Sequence, residues 1–110
     1  MSTASVPKKR PQAGKRATSF EPEVAKAFGA VIRTERERLQ MAQDQFALVA
    51  HVDRSYYGKL ERGERQPSLG LLLRVAAGLG VPAADLVRAV ESRLQSESSE
   101  HGSGKQTPRR

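Results

Sequence analysis

The sequence contains no cysteine and only two histidines, and these absences exclude several classes of site. Without cysteine the chain has neither disulfides nor thiolate ligands for a metal ion. The two histidines, His51 and His101, lie far apart in the sequence and do not make a metal site by themselves. We therefore expect no metal and no cofactor.

Long apolar runs are also missing. The longest apolar stretch, residues 69–81, is interrupted by three glycines and by Arg74. It is too short to span a bilayer, which takes about 20 consecutive apolar residues, and no hydrophobic signal segment is present. We therefore expect no membrane partner and a cytoplasmic, nucleoid-associated location.

The apolar residues that do occur are concentrated between Val24 and Leu94, in a chain of 110 residues with room for one domain. Residues 1–19 hold proline, glycine, small residues and charges without an apolar period, and residues 95–110 hold mainly polar residues and glycine. We predict a folded domain at 20–94, a disordered basic tail at 1–19 and a disordered polar tail at 95–110.

The net charge of +7 is unevenly distributed. Residues 1–22 carry five basic side chains against one acidic, whereas residues 23–95 carry eleven against nine. Basic tails attract nucleic acid without reading its sequence, because each neutralised phosphate releases counterions. Sequence specificity must therefore come from the nearly neutral core.

Apolar spacing and caps predict five helices and an all-α fold. Ser19 can cap a first helix that runs to about Leu39, and Ser68 can cap a fourth helix that Gly80 ends. Pro82 opens the fifth helix. We predict that the buried stripe of the first helix is formed by Phe28, Val31, Ile32 and Leu39, and that the apolar face of the fourth helix, at helical spacing, is formed by Leu69, Leu72, Leu73, Ala76 and Leu79.

Residues 43–68 describe two short helices packed at an angle, the arrangement of a helix-turn-helix. Phe46, Ala47 and Ala50 fall on one face, and Asp53 is a good N-cap for a second helix at about 54–62. Gly63 can end that helix in a left-handed conformation. Tyr57 and Leu60 fall on the inward face of that helix. Its other face carries donors and a planar ring suited to base edges and phosphates, namely Arg54, Ser55, Tyr56 and Lys59.

The same stretch resembles the DNA-binding domain of the lambda Cro and cI repressor family, also called the Xre family, over about residues 28–90. The matching residues are Ile32, Arg33, Arg36, Met41, Ala42, Gln43, Phe46, Ala47, Val52, Arg54, Ser55, Tyr56, Leu60, Glu61, Arg62, Gly63, Pro67, Ser68 and Leu72. The resemblance implies a compact five-helix lambda-repressor-like domain. It also implies a sequence-specific transcriptional regulator, a repressor, that binds double-stranded DNA.

Several site residues follow from that resemblance. It implies that Gln43 touches the DNA backbone and braces the recognition helix, and that Glu61 pairs with Arg36 on the first helix. Arg62 and Arg65 flank a loop that runs beside the phosphates in this fold; the alternative is that they are ordinary solvated charges. This chain departs from the family pattern in having His51 where glycine is usual in the turn.

Assembly as a homodimer on a palindromic operator is expected, because one recognition helix reads too few base pairs to select a site from a genome. The fifth helix carries more apolar surface than packing against the fourth helix requires. We therefore predict a dimer interface formed by Leu86, Val87, Val90 and Leu94.

Two other function classes remain open at this stage. The same domain could serve as a protein-interaction adaptor, or as a nuclear coactivator, since residues 8–16, KKRPQAGKR, also read as a nuclear import signal. Catalysis is not expected: Glu61 and Glu64 lack a nucleophile or a histidine partner. No small-molecule ligand is expected either.

Overall fold

Five helices make up residues 19–102, the part of the chain that the computed structural model describes. They are α1 (Pro22–Arg38), α2 (Gln43–Ala50), α3 (Arg54–Glu61), α4 (Leu69–Leu79) and α5 (Ala83–Gly102). No strand occurs within these residues, so the predicted all-α, five-helix fold is confirmed. The predicted basic tail, apart from Ser19, lies outside the described residues, as do residues 103–110.

Most helix ends are set by the local sequence as predicted. The Asp53 carboxylate accepts a hydrogen bond from the Tyr56 N–H at 3.0 Å, and the Ser68 hydroxyl accepts one from the Leu71 N–H at 3.1 Å. Gly63 and Gly80 take left-handed conformations, with φ of 77° and 76°, after α3 and α4. Each of these signals acts within one helical turn, which is why the sequence alone reveals it.

The start of α1 differs from the prediction, because Glu21 and not Ser19 occupies the N-cap. A residue before proline is driven to extended backbone, and Glu21 accordingly has φ −118° and ψ 101° ahead of Pro22. Gln66 bonds to both sides of this segment: its Nε2 donates to the Ser19 carbonyl at 2.8 Å, and its Oε1 accepts from the Glu21 N–H at 2.7 Å. The loop between α3 and α4 thus holds the start of α1.

Helix α5 is longer than predicted, since it continues to Gly102. The predicted disordered tail is therefore wrong for residues 95–102. Neither proline nor glycine interrupts the chain between Ala83 and Gly102, and Ser, Glu and Arg are all tolerated in a helix. Residues 95–97 are exposed although they are helical, so the loss of apolar residues after Leu94 does not mark the end of the helix.

All five helices contribute buried residues to the core, and its largest fully buried side chains are Tyr57, Phe46, Ile32, Leu60 and Val75. The Phe46 and Tyr57 rings are 5.3 Å apart and inclined at 56°, a favourable aromatic geometry. Leu39 does not belong to the core as predicted. It is 45% exposed and is the C-cap of α1, one residue beyond the last helical residue.

The predicted dimer interface is only partly available on the surface. Leu86 and Val90 are buried within the monomer, and Leu94 is half-buried, whereas Val87 is 43% exposed. The expectation that α5 packs against α4 alone is wrong, because α5 also packs along α1. Leu86 and Val90 are consequently core residues and are not free to meet a second copy.

Helix α4 is the more apolar of the two carboxyl-terminal helices. Its buried residues are Val75, Ala76 and Leu79, while Leu69 and Leu73, predicted on the apolar face, are exposed. Within residues 19–102 no single helix is both long and apolar enough to cross a membrane. Helix α4 and residues 83–97 reach the necessary length and apolar composition only when taken together, and these two segments are bent by 105° relative to each other.

Candidate nucleic-acid interface

Helices α2 and α3 are joined by a turn in which His51 takes a left-handed conformation, with φ 60° and ψ 45°. This conformation lets the Val52 N–H bond to the Ala47 carbonyl at 2.9 Å, which closes α2. Histidine enters the left-handed region more readily than most residues. The helix-turn-helix therefore forms without the glycine that is usual here.

The outward face of α3 presents the predicted recognition residues. The Arg54 side chain is 72% exposed and Ser55 is exposed, while Tyr56 and Lys59 are half-buried. Tyr56 packs against the edge of the core, and Tyr57 next to it is fully buried. The structure thus brings Arg54, Ser55, Tyr56 and Lys59 to one helix of two turns, with Arg54 and Ser55 the most open to solvent.

Arg54 has an acidic partner on the neighbouring helix. Its Nη1 donates to the Oδ2 of Asp44, in the first turn of α2, at 3.1 Å. The Asp44 side chain is 64% exposed. One carboxylate and one guanidinium thus face solvent together where the amino-terminal ends of α2 and α3 approach each other.

Gln43, the first residue of α2, is tied to the end of α3. Its Nε2 donates to Glu61 Oε1 at 2.9 Å, which uses one of the two N–H bonds of the amide. A methyl group at Gly58 would lie 3.5 Å from Gln43 Oε1 and 3.2 Å from Arg62 Nη1. The glycine inside α3 therefore leaves room for both side chains above it.

Glu61 forms the centre of a hydrogen-bonded network at the junction of α1, α2 and α3. Arg36 donates to its two oxygens from Nε at 2.6 Å and from Nη2 at 2.9 Å, and the Tyr57 hydroxyl donates at 2.6 Å. Arg36 also donates from Nη1 to the Met41 carbonyl at 2.7 Å. With Gln43 included, the Glu61 carboxylate accepts four hydrogen bonds while its side chain is 2% exposed.

This environment changes the protonation of its members. Burial acts to raise the pKa of Glu61, but the hydrogen bonds from Arg36, Tyr57 and Gln43 together outweigh it and hold that pKa below its ordinary value. Burial, followed by the Glu61 carboxylate, raises the pKa of the Tyr57 hydroxyl. The hydrogen bond to Glu61 raises the pKa of Arg36. Glu61 is therefore ionised, and its charge is compensated inside the fold.

The loop after α3 carries the other two predicted contacts. Arg62 Nε donates to Glu64 Oε2 at 2.8 Å, and Arg65 Nη1 donates to the Glu64 carbonyl at 3.1 Å. Both arginines are exposed. The hydrogen bond to Glu64 raises the pKa of Arg62. The loop thus presents two positively charged side chains, Arg62 and Arg65, with the carboxylate of Glu64 between them in the sequence.

Gly29 determines how closely α3 lies against α1. A Cβ at this position would be 2.5 Å from the carbonyl oxygens of both Leu60 and Glu61. That distance is far inside van der Waals contact, so only glycine lets the end of α3 approach α1 this closely. This role of Gly29 was not predictable from the sequence, because a glycine within a helix indicates locally only a weak helix former.

Asp44 and Glu64 were also missed as partners of recognition residues. Asp44 is on the helix before Arg54, so their contact depends on the angle between α2 and α3. Glu64 comes only two residues after Arg62, and the alternation of charge at residues 61–65 was the available signal.

The fold and this surface define a helix-turn-helix DNA-binding protein, and comparisons with known proteins agree. The sequence model of a helix-turn-helix family matches residues 32–86, half of the chain. The control protein C.MunI from Mycoplasma sp is 36% identical over 56 residues, which cover 51% of this chain and 76% of that protein.

Two solved structures extend the likeness to the fold. The restriction-modification controller protein C.AhdI from Aeromonas hydrophila is 34% identical, with a TM-score of 0.55 over 56% of this chain and 94% of that one. The clp gene regulator ClgR from Corynebacterium glutamicum is 26% identical, with a TM-score of 0.67 over 71% of this chain and 83% of that one.

The chain belongs to the helix-turn-helix family, of the Cro, cI and Xre type. The resemblance drawn from the sequence is confirmed, and the protein is a DNA-binding transcription regulator. The family is regulatory and not enzymatic.

Proposed function

We propose that the protein is a repressor that binds a palindromic operator as a homodimer, with α3 in the major groove of each half-site. The observation that carries the proposal is the outward face of α3. There Arg54 is 72% exposed at the first helical position, and the amino-terminal residues of a recognition helix are the ones that contact base edges.

Base reading falls to Arg54, Ser55, Tyr56 and Lys59 in this proposal. Arginine pairs with guanine O6 and N7 through two parallel hydrogen bonds, which makes Arg54 the principal reader. Ser55 is exposed beside it. Tyr56 and Lys59 are half-buried. The Tyr56 ring is suited to contact with a thymine methyl group, and the Lys59 ammonium to contact at the edge of the groove.

Phosphate contact falls to Gln43, Arg62 and Arg65. Gln43 stands at the first position of α2, where backbone N–H groups are unpaired and favour an anion. Because Glu61 holds one N–H of its amide, the second N–H remains available to a phosphate oxygen. Arg62 and Arg65 extend this row of contacts into the loop.

No acid catalysis is assigned to Glu61. Its side chain is 2% exposed and its carboxylate accepts four hydrogen bonds. A substrate therefore cannot reach the carboxylate, whose hydrogen-bonding capacity is used within the protein. Its role in this proposal is to fix the recognition helix against α1 and to orient Gln43.

The dimer contact is assigned to the apolar surface shared by α4 and α5. Val87 and Leu69 are 43% and 70% exposed and line one cleft of about 200 Å³. The rest of the lining is mainly apolar: Val24, Phe28, Leu72 and Val90, with Gln66, Pro67 and Ser68 ahead of α4. Exposed apolar side chains above an apolar cleft favour burial against a matching surface, and a second copy supplies one by twofold symmetry.

Selection of duplexes from a randomised pool, followed by titration at two salt concentrations, tests the DNA-binding part. The wild-type chain should enrich a palindrome whose half-site centres are about 34 Å apart. Arg54→Ala should weaken binding to the selected duplex by about tenfold to hundredfold while changing pool binding little. Equal weakening of both would remove Arg54 from base reading.

Sedimentation equilibrium tests the dimer. Val87→Asp should produce a monomer with unchanged helicity, because Val87 is exposed in the monomer. Ser92→Asp, at an exposed position about 140° around the same helix from Val87, is the matched control and should remain dimeric. A wild-type chain that stays monomeric both free and on the selected duplex would contradict the assignment.

A further inference from the structure

The ion pair between Asp44 and Arg54 lies on the surface that the proposed function assigns to DNA. Both side chains are more than half exposed, at 64% and 72%. Exposed pairs of this kind contribute little to folding stability, because water solvates both charges almost as well. The pair therefore has little effect on the stability of the fold. Its main effect is on the conformation and the charge of the Arg54 side chain.

The contact restrains Arg54 without using up its hydrogen-bonding capacity. Only Nη1 meets the Asp44 carboxylate, at 3.1 Å. A guanidinium carries five N–H donors in a planar fork, so the edge formed by Nη2 and Nε remains free for the O6 and N7 atoms of a guanine. Holding one corner of the fork reduces the rotamer freedom that Arg54 would otherwise lose on binding.

The Asp44 carboxylate has a second effect, because it places a negative charge on the surface proposed to face DNA. This charge offsets the attraction of Arg54 for any phosphate, and it repels a phosphate that approaches the amino-terminal ends of α2 and α3. Random sequence offers Arg54 no base partner in the correct place and so cannot offset this repulsion. A guanine in the correct place can do so.

We propose that Asp44 is a positioning residue that determines specificity: it orients Arg54 toward a guanine and disfavours binding to unselected DNA. The inference rests on the proposed function, in which Arg54 reads bases. Glu64 makes a similar pair with Arg62 at 2.8 Å, but Arg62 is assigned to phosphate. Glu64 should therefore lower binding to all sequences without discriminating among them.

The test compares two probes with the full chain: the duplex that the wild type selects from a randomised pool, and the unselected pool. In Asp44→Asn the pool should bind more tightly because one negative charge is gone, whereas the selected duplex should gain nothing. The ratio of the two dissociation constants should fall by about threefold to tenfold, part of the discrimination one arginine–guanine pair supplies.

Two variants serve as controls. Glu64→Gln should tighten binding to both probes by the same factor. Glu37→Gln removes the acid of an equally exposed pair, Arg33 with Glu37 at 3.1 Å on α1, and should leave the ratio unchanged. The melting temperature of each variant establishes that the fold is intact.

A double-mutant cycle with Arg54→Ala tests whether Asp44 changes the ratio of the two dissociation constants through Arg54. In the Arg54→Ala background, Asp44→Asn should no longer change the ratio. If Asp44→Asn in the wild-type background tightens both probes equally, Asp44 only opposes DNA and the inference is overturned. If Arg54→Ala itself leaves the ratio unchanged, the proposed base reading is wrong; if only Asp44→Asn leaves it unchanged, base reading stands and this inference alone is wrong.

Discussion

Two arginine–carboxylate pairs join neighbouring helices in this domain, and the two pairs differ in how deeply they are buried. Arg36 and Glu61 join α1 to α3 with side chains 11% and 2% exposed, whereas Arg54 and Asp44 join α3 to α2 at 72% and 64%. In the buried pair both carboxylate oxygens are engaged, and two further donors complete the network. The same chemistry therefore fixes a helix in one place and leaves a side chain available to a ligand in the other.

Removing one partner of the buried pair should have the largest effect. Glu61→Ala strands the Arg36 guanidinium in the protein, and the loss of one partner of a buried pair costs about 3–5 kcal/mol. Urea unfolding monitored by circular dichroism measures this loss. Arg36→Ala should cost a similar amount, and the double variant should cost clearly less than the sum; an additive result would mean that the two charges do not interact.

A smaller effect is expected from separating the helices that the buried pair joins. Gly29→Ala places a methyl group 2.5 Å from two backbone carbonyl oxygens of α3, and overpacking of this kind costs about 1–3 kcal/mol. The control is Gly70→Ala on α4, where the nearest atom would be 3.9 Å away. That change should stabilise by up to about 1 kcal/mol through helix propensity. Equal thermal shifts in both variants would contradict the close approach of α1 and α3.

The buried pair should also impose a pH dependence. The folded-state pKa of Glu61 is depressed, so its stabilisation is present above the unfolded value of about 4.3 and is lost as the pH falls through the lower folded value. The difference in unfolding free energy between wild type and Glu61→Gln should therefore shrink as the pH is lowered below about 4. Urea titrations from pH 7 to pH 3 would show it, and a constant difference would exclude a role for this ionisation.

The smallest effect on stability is expected at the exposed pair. Arg54→Ala should change the free energy of unfolding by at most about 1 kcal/mol, because the pair is exposed in the folded protein and Asp44 stays solvated when Arg54 is removed. The same variant should lose discrimination on the selected duplex, so stability and binding separate at this residue. A melting temperature lowered as much as in Glu61→Ala would erase the contrast between the two pairs.

Local features were predictable from the sequence, and features that depend on helix packing were not. Asp53, Ser68, Gly63 and Gly80 cap or end helices through contacts within a single turn, and each was identified. Leu86 and Val90 were misassigned because nothing in α5 itself reveals that α1 covers them. Ser19 was misassigned because the effect of Pro22 on its predecessor outweighed the preference of serine for a cap.

The proposed recognition surface likewise has features that were predictable from the sequence and features that were not. Types and spacing were enough to group Arg54, Ser55, Tyr56 and Lys59 on one face of a helix. The acidic partner of Arg54 was not predictable, since the Asp44 contact depends on how α2 crosses α3. The end of α5 was missed for another reason: an apolar pattern reports where a helix is covered, whereas the polar residues 95–102 extend the helix beyond that point.

The two hydrogen bonds of Gln66 give the domain a region that can open locally. They join Ser19 and Glu21 to the loop between α3 and α4, across 45 and 47 residues, and both are exposed. None of the three residues belongs to the buried core, so we expect this region to open at a lower free energy than global unfolding. Amide hydrogen exchange at Glu21 would report that opening in the native state. The loop that carries Arg62 and Arg65 is thus connected to the start of α1 by a reversible link that can come apart while the helix-turn-helix stays folded.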